Sequence, residues 1–364
     1  MKLFECQNCR NAVHFSNNTC LNCGFRLGYL PEKTTLSALT PDNGGWTPLA
    51  EPTRRYFLCE NATNEACNWL VAEDSGTTVC AACRFNHMVP DLTQPRNREL
   101  WQKIELAKHQ VFYSLLRWKL PMKDRTEDPE GGLAFDFLSD DAGPASADSI
   151  LTGHDNGLIT LNIAEADDAE REKRRTSMGE PYRTLIGHFR HELGHYFWDL
   201  LVRDGGKLDQ CRAIFGDERA DYGEALQAHY ANGAPANWQD SFISSYATAH
   251  AWEDFAETWA HYLHMVDGLE TAASFGIKVR PKVRKAADLE VEVDFDPYRA
   301  VDAQELVDAW VPLTVALNSV NRSMGQPDLY PFVLSGPVVQ KMQFIHDLVA
   351  EAPRRAAAQA QAAA

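Results

Sequence analysis

Eight of the nine cysteines fall before residue 84, and only Cys211 lies later. That crowding limits what the N-terminal quarter can fold into. Residues 1–95 are rich in Cys, Asn, Gly and Pro and carry few long apolar stripes, so hydrophobic burial alone cannot hold them together. Cys6 and Cys9 form one CxxC pair and Cys20 and Cys23 another, ten residues on. A CxxC turn points two thiolates at one metal, and a second turn completes a tetrahedron. Cys59 and Cys67, with the CxxC pair Cys80 and Cys83, make a second set that is regular only in its second half. Closed four-cysteine sites leave no open position for water, so both sets are expected to be structural zinc sites. Each would supply on the order of 10 kcal/mol of apparent folding free energy. The competing readings are redox thiols or scattered buried cysteines, with iron a minor alternative at the first set. His87, four residues beyond Cys83, is expected at the surface or in packing, and Cys211 as a buried free thiol.

Charge narrows the partners. The 364-residue chain carries 35 Lys+Arg against 51 Asp+Glu, a formal net charge of −16. Such a balance is a poor match to a phosphate backbone. Residues 1–100 hold nine basic and ten acidic side chains, so the cysteine-rich region shows no basic face either. Nucleic acid is disfavoured, and protein docking or scaffolding suits the ribbons better. The start, MKLFECQNC, has no apolar signal segment, and no run of about eighteen apolar residues suggests a membrane span. A soluble, cytoplasmic protein is the expectation.

Past residue 95 the pattern changes. The run ELWQKIELAKHQVFYSLLRWKL repeats apolar residues at three-to-four spacing, predicting a helix that stops before Pro121. Leu133 to Leu138 and Leu158 to Ile163 read as strands, and AEADDAEREKRR as a solvated helix or loop. Another helix carries HELGH, with Pro181 suited to its first turn and Gly205-Gly206 to its stop. Further helices are expected at about 217–230, 250–266, 302–320 and 338–349. The alanine-rich end, 351–364, reads as a frayed low-complexity tail.

HELGH places His191 and His195 four apart, so both imidazoles leave one helix face. Glu192 sits beside them, where a carboxylate can take the proton of a metal-bound water. A bare HExxH is common by chance and lacks a third ligand. The metzincin extension is absent, since Trp198 stands where a Gly is needed and Leu201 where a third His belongs. The later stretch SSYATAHAWEDFAETWAHYLHM meets the need. Phe255, Trp259, Leu263 and Val266 form one helical stripe, while Glu253, Glu257, His264 and His250 share the other side, with His261 at its edge. The bland alternative is a solvated face. One of Glu253 and Glu257 can ligate zinc while the other hydrogen-bonds a ligand histidine, but spacing does not say which. His188, one turn before His191, is in reach of the site, but is expected to be packed or solvated. Asp217 and Asp221 can cap a helix, brace Arg219 or orient a ligand, with capping the default for Asp217.

HELGH with a downstream E-x-x-x-E resembles the gluzincin metallopeptidases, and the EDFAE spelling resembles the anthrax lethal factor catalytic domain. That resemblance implies Glu253 as ligand, Glu257 in the outer shell, and a catalytic Tyr seven residues before the ligand, which is Tyr246. Thermolysin differs, wanting Asp where Glu257 stands. Nearly the whole chain resembles the bacterial zinc-binding metallopeptidases with an N-terminal zinc ribbon. The resemblance is carried by CNWLV, CAACRFNHMVPDL, LTGHDNGLITLNIAEADDAERE, YRTLIGHFRHELGHYFWDLLV, FGDERADY and HAWEDFAETWAHYLHM. Ala251 replaces a Pro often found after the His of the last segment.

Together these readings predict an α+β protein: a double four-cysteine zinc-ribbon region at 1–95, a mainly helical zincin-like metallopeptidase domain with a small sheet at 96–350, and the tail. Three zinc ions are expected, one catalytic and two structural. The strand at 158–163 is expected to be an edge along which an extended peptide substrate lies. The rival reading is a zinc-stabilised protein-docking module with an inactive metallopeptidase-like site.

Overall fold

A computed structural model describes residues 2–139, 152–178, 180, 182–283 and 287–363. Two compact units emerge, Met1–Arg117 with Met122–Met178, and Trp118–Pro121 with Gly179–Ala364. The architecture is mixed α+β, with sheets concentrated in the first unit and helices in the second.

In the first unit, β1 (Phe4–Glu5) and β2 (Ala12–Val13) form a short hairpin. Strands β3 (Leu27–Leu30), β4 (Thr35–Asp42), β5 (Gly45–Pro48), β6 (Tyr56–Leu58) and β7 (Leu70–Ala72) pair antiparallel in chain order. Leu30, Leu39, Tyr56, Leu70 and Ala72 form a small apolar cluster there. The long helix α1 (Pro95–Arg117) buries Trp101, Ile104, Val111 and Phe112. Its Tyr113 stands edge-on to Phe15, with ring centroids 5.6 Å apart. Cysteine-rich region and helix thus share one aromatic core.

The same unit holds β8 (Asn86–Met88), β9 (Ala134–Leu138), β10 (Gly153–Asp155) and β11 (Leu158–Asn162), ordered β10-β11-β9-β8. Here the structure corrects an expectation. Strand β11 is no edge: β10 pairs with it antiparallel on one side and β9 parallel on the other. Both rows of its backbone groups are already paired, so it has none to offer an extended peptide. Among the described residues the outer strands are β10 and β8. The acidic-basic run forms the helix α2 (Asp168–Met178).

The second unit is built on two helices, α3 (Leu185–Phe197) and α6 (Ala251–Ser274). Helix α3 starts later than Pro181 suggested, and Pro181 lies outside the described residues. The Thr184 hydroxyl oxygen accepts from the Gly187 amide at 3.1 Å and caps the helix. After Phe197 the backbone widens into a π-helical turn, Trp198–Arg203, where Trp198 and Leu201 are buried. Shorter helices α4 (Leu208–Phe215) and α5 (Tyr222–Asn232) follow, the latter exposed or half-buried throughout. Beyond α6 lie the strand pair β12 (Lys278–Val279) and β13 (Val291–Glu292), then α7 (Ala303–Ser323) and α8 (Gly336–Ala363). Helix α8 runs on into the low-complexity end, as the highest helix propensity, that of Ala, allows.

Helices α3 and α6 meet at Gly194. A Cβ there would lie 2.8 Å from the Ala256 Cα, so only glycine permits this approach. Phe197 stacks on Trp259 at 4.9 Å. The buried Arg190 guanidinium bonds Asp267 and His264 on α6, and the Tyr298 hydroxyl donates to Asp267.

Candidate metal centres

Sulfur positions in the ribbon region follow from its turns. The Cys6 and Cys23 Sγ atoms are 3.7 Å apart, and those of Cys9 and Cys20 are 3.6 Å apart. A disulfide requires about 2.0 Å, whereas the edge of a tetrahedral zinc–thiolate site, built on Zn–S of about 2.3 Å, is about 3.8 Å. The second set, Cys59, Cys67, Cys80 and Cys83, has all four Sγ atoms within 4.8 Å of one another, with Cys67 and Cys80 at 3.7 Å. Backbone amides of Trp69, Cys80 and Cys83 donate to the sulfurs of Cys67, Cys59 and Cys80, each at 3.4 Å. Such N–H···S bonds favour thiolates. All nine cysteines are free of disulfides, and burial pushes the Cys211 thiol up to about 12.

The third cluster spans α3 and α6. His191 Nε2 lies 3.0 Å from Glu253 Oε2, and His195 Nε2 lies 3.5 Å from Glu253 Oε1. All three donor atoms fall within 4.8 Å of one another. Glu257, one turn on, places Oε1 2.7 Å from His191 Nδ1, and its Oε2 accepts from the Ser244 hydroxyl at 2.6 Å. The two carboxylates thus stand at different nitrogens of one ring. Nδ1 donates to Glu257, which leaves Nε2 of a neutral ring with a lone pair facing the buried Glu253 oxygen. Beyond His191 Nε2, Glu253 Oε2 has no hydrogen-bond partner among the described residues. At 3.0 Å a proton or a metal cation must lie between Nε2 and Oε2; without metal a proton takes that place, and with Nε2 deprotonated the same donor set fits a zinc ion.

The charges are tightly linked. Burial by itself would lower the His191 pKa, yet Glu253 and Glu257 outweigh it and hold it well above the usual histidine range. Burial would raise Glu253, but His195 and His191 hold it well below the usual carboxylate range. Glu192, 8% exposed, is pushed up, chiefly by burial.

Tyr246, expected near the centre, has its ring 6.0 Å from that of His191 and is raised by burial and by Glu253. A second tyrosine was not foreseen. The Tyr222 hydroxyl donates to Glu253 Oε1 at 2.7 Å. Its position comes from FGDERADY: the Asp221 side chain accepts from the Glu224 amide at 2.8 Å and caps α5, whose first residue is Tyr222. Asp217 is therefore not the cap; it braces Arg219 at 2.8 and 2.7 Å. His250 caps α6, accepting from the Trp252 amide at 3.1 Å, while its Nε2 donates to the Ala220 carbonyl at 3.1 Å. The Trp252 ring lies against that of His195, with centroids 4.0 Å apart and the planes tilted by 45°. His261 pairs with the Tyr330 hydroxyl at 2.9 Å, and burial lowers it to about 4. His188 is half-buried, and His87 is an exposed partner of Asp136 at 2.7 Å.

A helix bearing two histidines and a second helix that supplies a carboxylate offer one zinc ion three protein donors. The chain belongs to the family described as “Putative zinc-binding metallo-peptidase”, which matches residues 97–348. A zinc-ribbon domain family matches residues 3–94. Uncharacterized proteins of Mycobacterium bovis and of two strains of Mycobacterium tuberculosis are each 42% identical over 352 residues, 96% of this chain and 96% of each relative. No solved structure matches. No helix among the described residues is long and apolar enough to cross a membrane.

Proposed function

We propose that this protein is a zinc-dependent metallopeptidase, gluzincin-like in its donor set, that cleaves peptide bonds in peptide or protein substrates. His191, His195 and Glu253 hold the catalytic ion. The observation that carries the reading is the pairing of Glu257 with Nδ1 of His191 while Glu253 faces its Nε2. A zinc ion held there supplies a water of lowered pKa and polarises the scissile carbonyl. Glu192 takes the proton of the attacking water and returns it to the leaving amine. Its burial, which raises its proton affinity, suits both halves of that task. Tyr246 hydrogen-bonds the carbonyl oxygen as it gains charge. Glu257, held by Ser244, keeps His191 in the ligating tautomer, and Tyr222 orients Glu253 through its Oε1.

Two further zinc ions, in the two cysteine sets, are structural, giving three per chain. The ribbons serve as scaffold and as a docking surface for protein partners. A cytoplasmic location agrees with nine cysteines free of disulfides.

Metal analysis paired with peptide-library cleavage by wild type and Glu192→Gln tests the reading. Three zinc ions, cleavage by the wild type and its loss in the variant are expected. Equal cleavage by both proteins overturns the catalytic assignment. Full zinc with no cleavage by either favours a docking module with an inactive site.

A further inference from the structure

The second cysteine set has a neighbour that its spacing does not announce. His109, on α1, is buried, and its Nε2 lies 3.2 Å from Cys67 Sγ, 3.6 Å from Cys83 Sγ and 3.7 Å from Cys80 Sγ. Its Nδ1 lies 2.6 Å from the Glu105 carbonyl oxygen one turn back. A carbonyl can only accept, so Nδ1 carries a hydrogen and, in the neutral ring, Nε2 presents its lone pair to the three sulfurs. Metal-bound histidines are commonly oriented in this way.

The distances fit a ligand. With Zn–S of about 2.3 Å and Zn–N of about 2.0–2.1 Å, a tetrahedral site has N···S edges of about 3.6 Å. A point so far from all three sulfurs lies on one side or the other of their plane. Cys59 Sγ is within 4.8 Å of the same three, and steric exclusion puts it on the opposite side. Cys67, Cys80 and Cys83 therefore form a triangle shared by two four-donor sites, one closed by Cys59 and the other by His109.

We propose that His109 is a metal ligand of the second centre, completing a Cys3His set with Cys67, Cys80 and Cys83, with Cys59 as the alternate fourth donor. Charge favours the histidine. A divalent ion on four thiolates leaves two net negative charges in a buried site, and on three thiolates with an imidazole it leaves one. Lys108 does not offset the difference, since its ammonium is engaged by the buried Glu105 carboxylate at 2.8 Å. The consequence is architectural. Three ligands belong to the stretch matched as zinc ribbon and the fourth to the stretch matched as peptidase, so one ion ties the ribbon to α1.

Full-length protein loaded with NMR-active cadmium and isotopically labelled histidine tests this directly. Wild type should give one four-thiolate resonance, from the first centre, and one three-thiolate, one-nitrogen resonance with one-bond coupling to Nε2 of His109. Two four-thiolate resonances without that coupling overturn the proposal. By metal analysis, Cys59→Ser should retain the second ion, while Cys59→Ser with His109→Ala should lose one ion per chain. Loss of the ion from Cys59→Ser alone, with the helical circular dichroism intact, also overturns it.

Discussion

The ribbon centres and the helical centre collect their donors in different ways. In the first cysteine set every ligand comes from two tight turns within eighteen residues, Cys6 to Cys23. In the helical centre, His191 and His195 wait on α3 for a carboxylate from Glu253, sixty-two positions after His191, and only helix packing brings it there. The two kinds of centre are vulnerable at different points. On the proposed reading, a turn-built centre is held together chiefly by its metal. A centre built between packed helices depends on the backbone approach at Gly194 and on the hydrogen bonds that aim its ligands.

The largest expected effect tests the first half of this contrast. Cys20→Ser should unfold the β1–β2 ribbon, forfeiting apparent metal-coupled folding energy on the order of 10 kcal/mol. Amide hydrogen exchange would show protection lost over residues 2–30 and kept in α3 and α6. Retained protection in the ribbon would mean that its small core suffices. Next, Glu192→Gln should lower kcat/KM by about 10²–10⁴ with zinc content unchanged. A loss of zinc in that variant would move Glu192 from proton transfer to metal binding.

Smaller effects probe the packing half. Glu257→Ala should weaken zinc affinity at the helical centre by about 10–100-fold, measured by competition with a chelator, while Glu253→Ala should empty that site. The reverse order would exchange the two carboxylates. Gly194→Ala should cost about 1–3 kcal/mol by forcing α3 from α6, read as a lower midpoint in denaturant, with weaker zinc binding at this centre and none lost from the ribbons. Smallest, Tyr222→Phe should reduce zinc affinity only slightly, because it removes one hydrogen bond to Glu253 and no packing.

Much of this was legible in the chain itself because periodicity carries it. Four-residue spacing puts His191 with His195, and Glu253 with Glu257, on common helix faces. CxxC spacing groups the thiolates, and apolar repeats predict α1 and α6. Less regular features escaped. Asp217 and Asp221 both suit capping by residue type, and the backbone turn selects Asp221. Strand β11 has the alternation of an edge strand, but its neighbours arrive from residues 134–138 and 153–155, and pairing partners leave no mark on a strand's own pattern. Tyr222 and His109 also went unmarked, each acting on a centre whose other members lie far along the chain.

Local chemistry, then, was determined by sequence alone: which side chains are candidate metal donors and which share a helix face. Tertiary structure decided which donors meet. It set Glu253 against Nε2 and Glu257 against Nδ1 of one imidazole, laid Tyr222 on the far oxygen of Glu253, and brought His109 to a triangle of sulfurs. Spacing along one element fixes direction within a few residues. The distance between elements is fixed by packed side chains and by a missing Cβ at Gly194, and those are properties of pairs of segments rather than of either one.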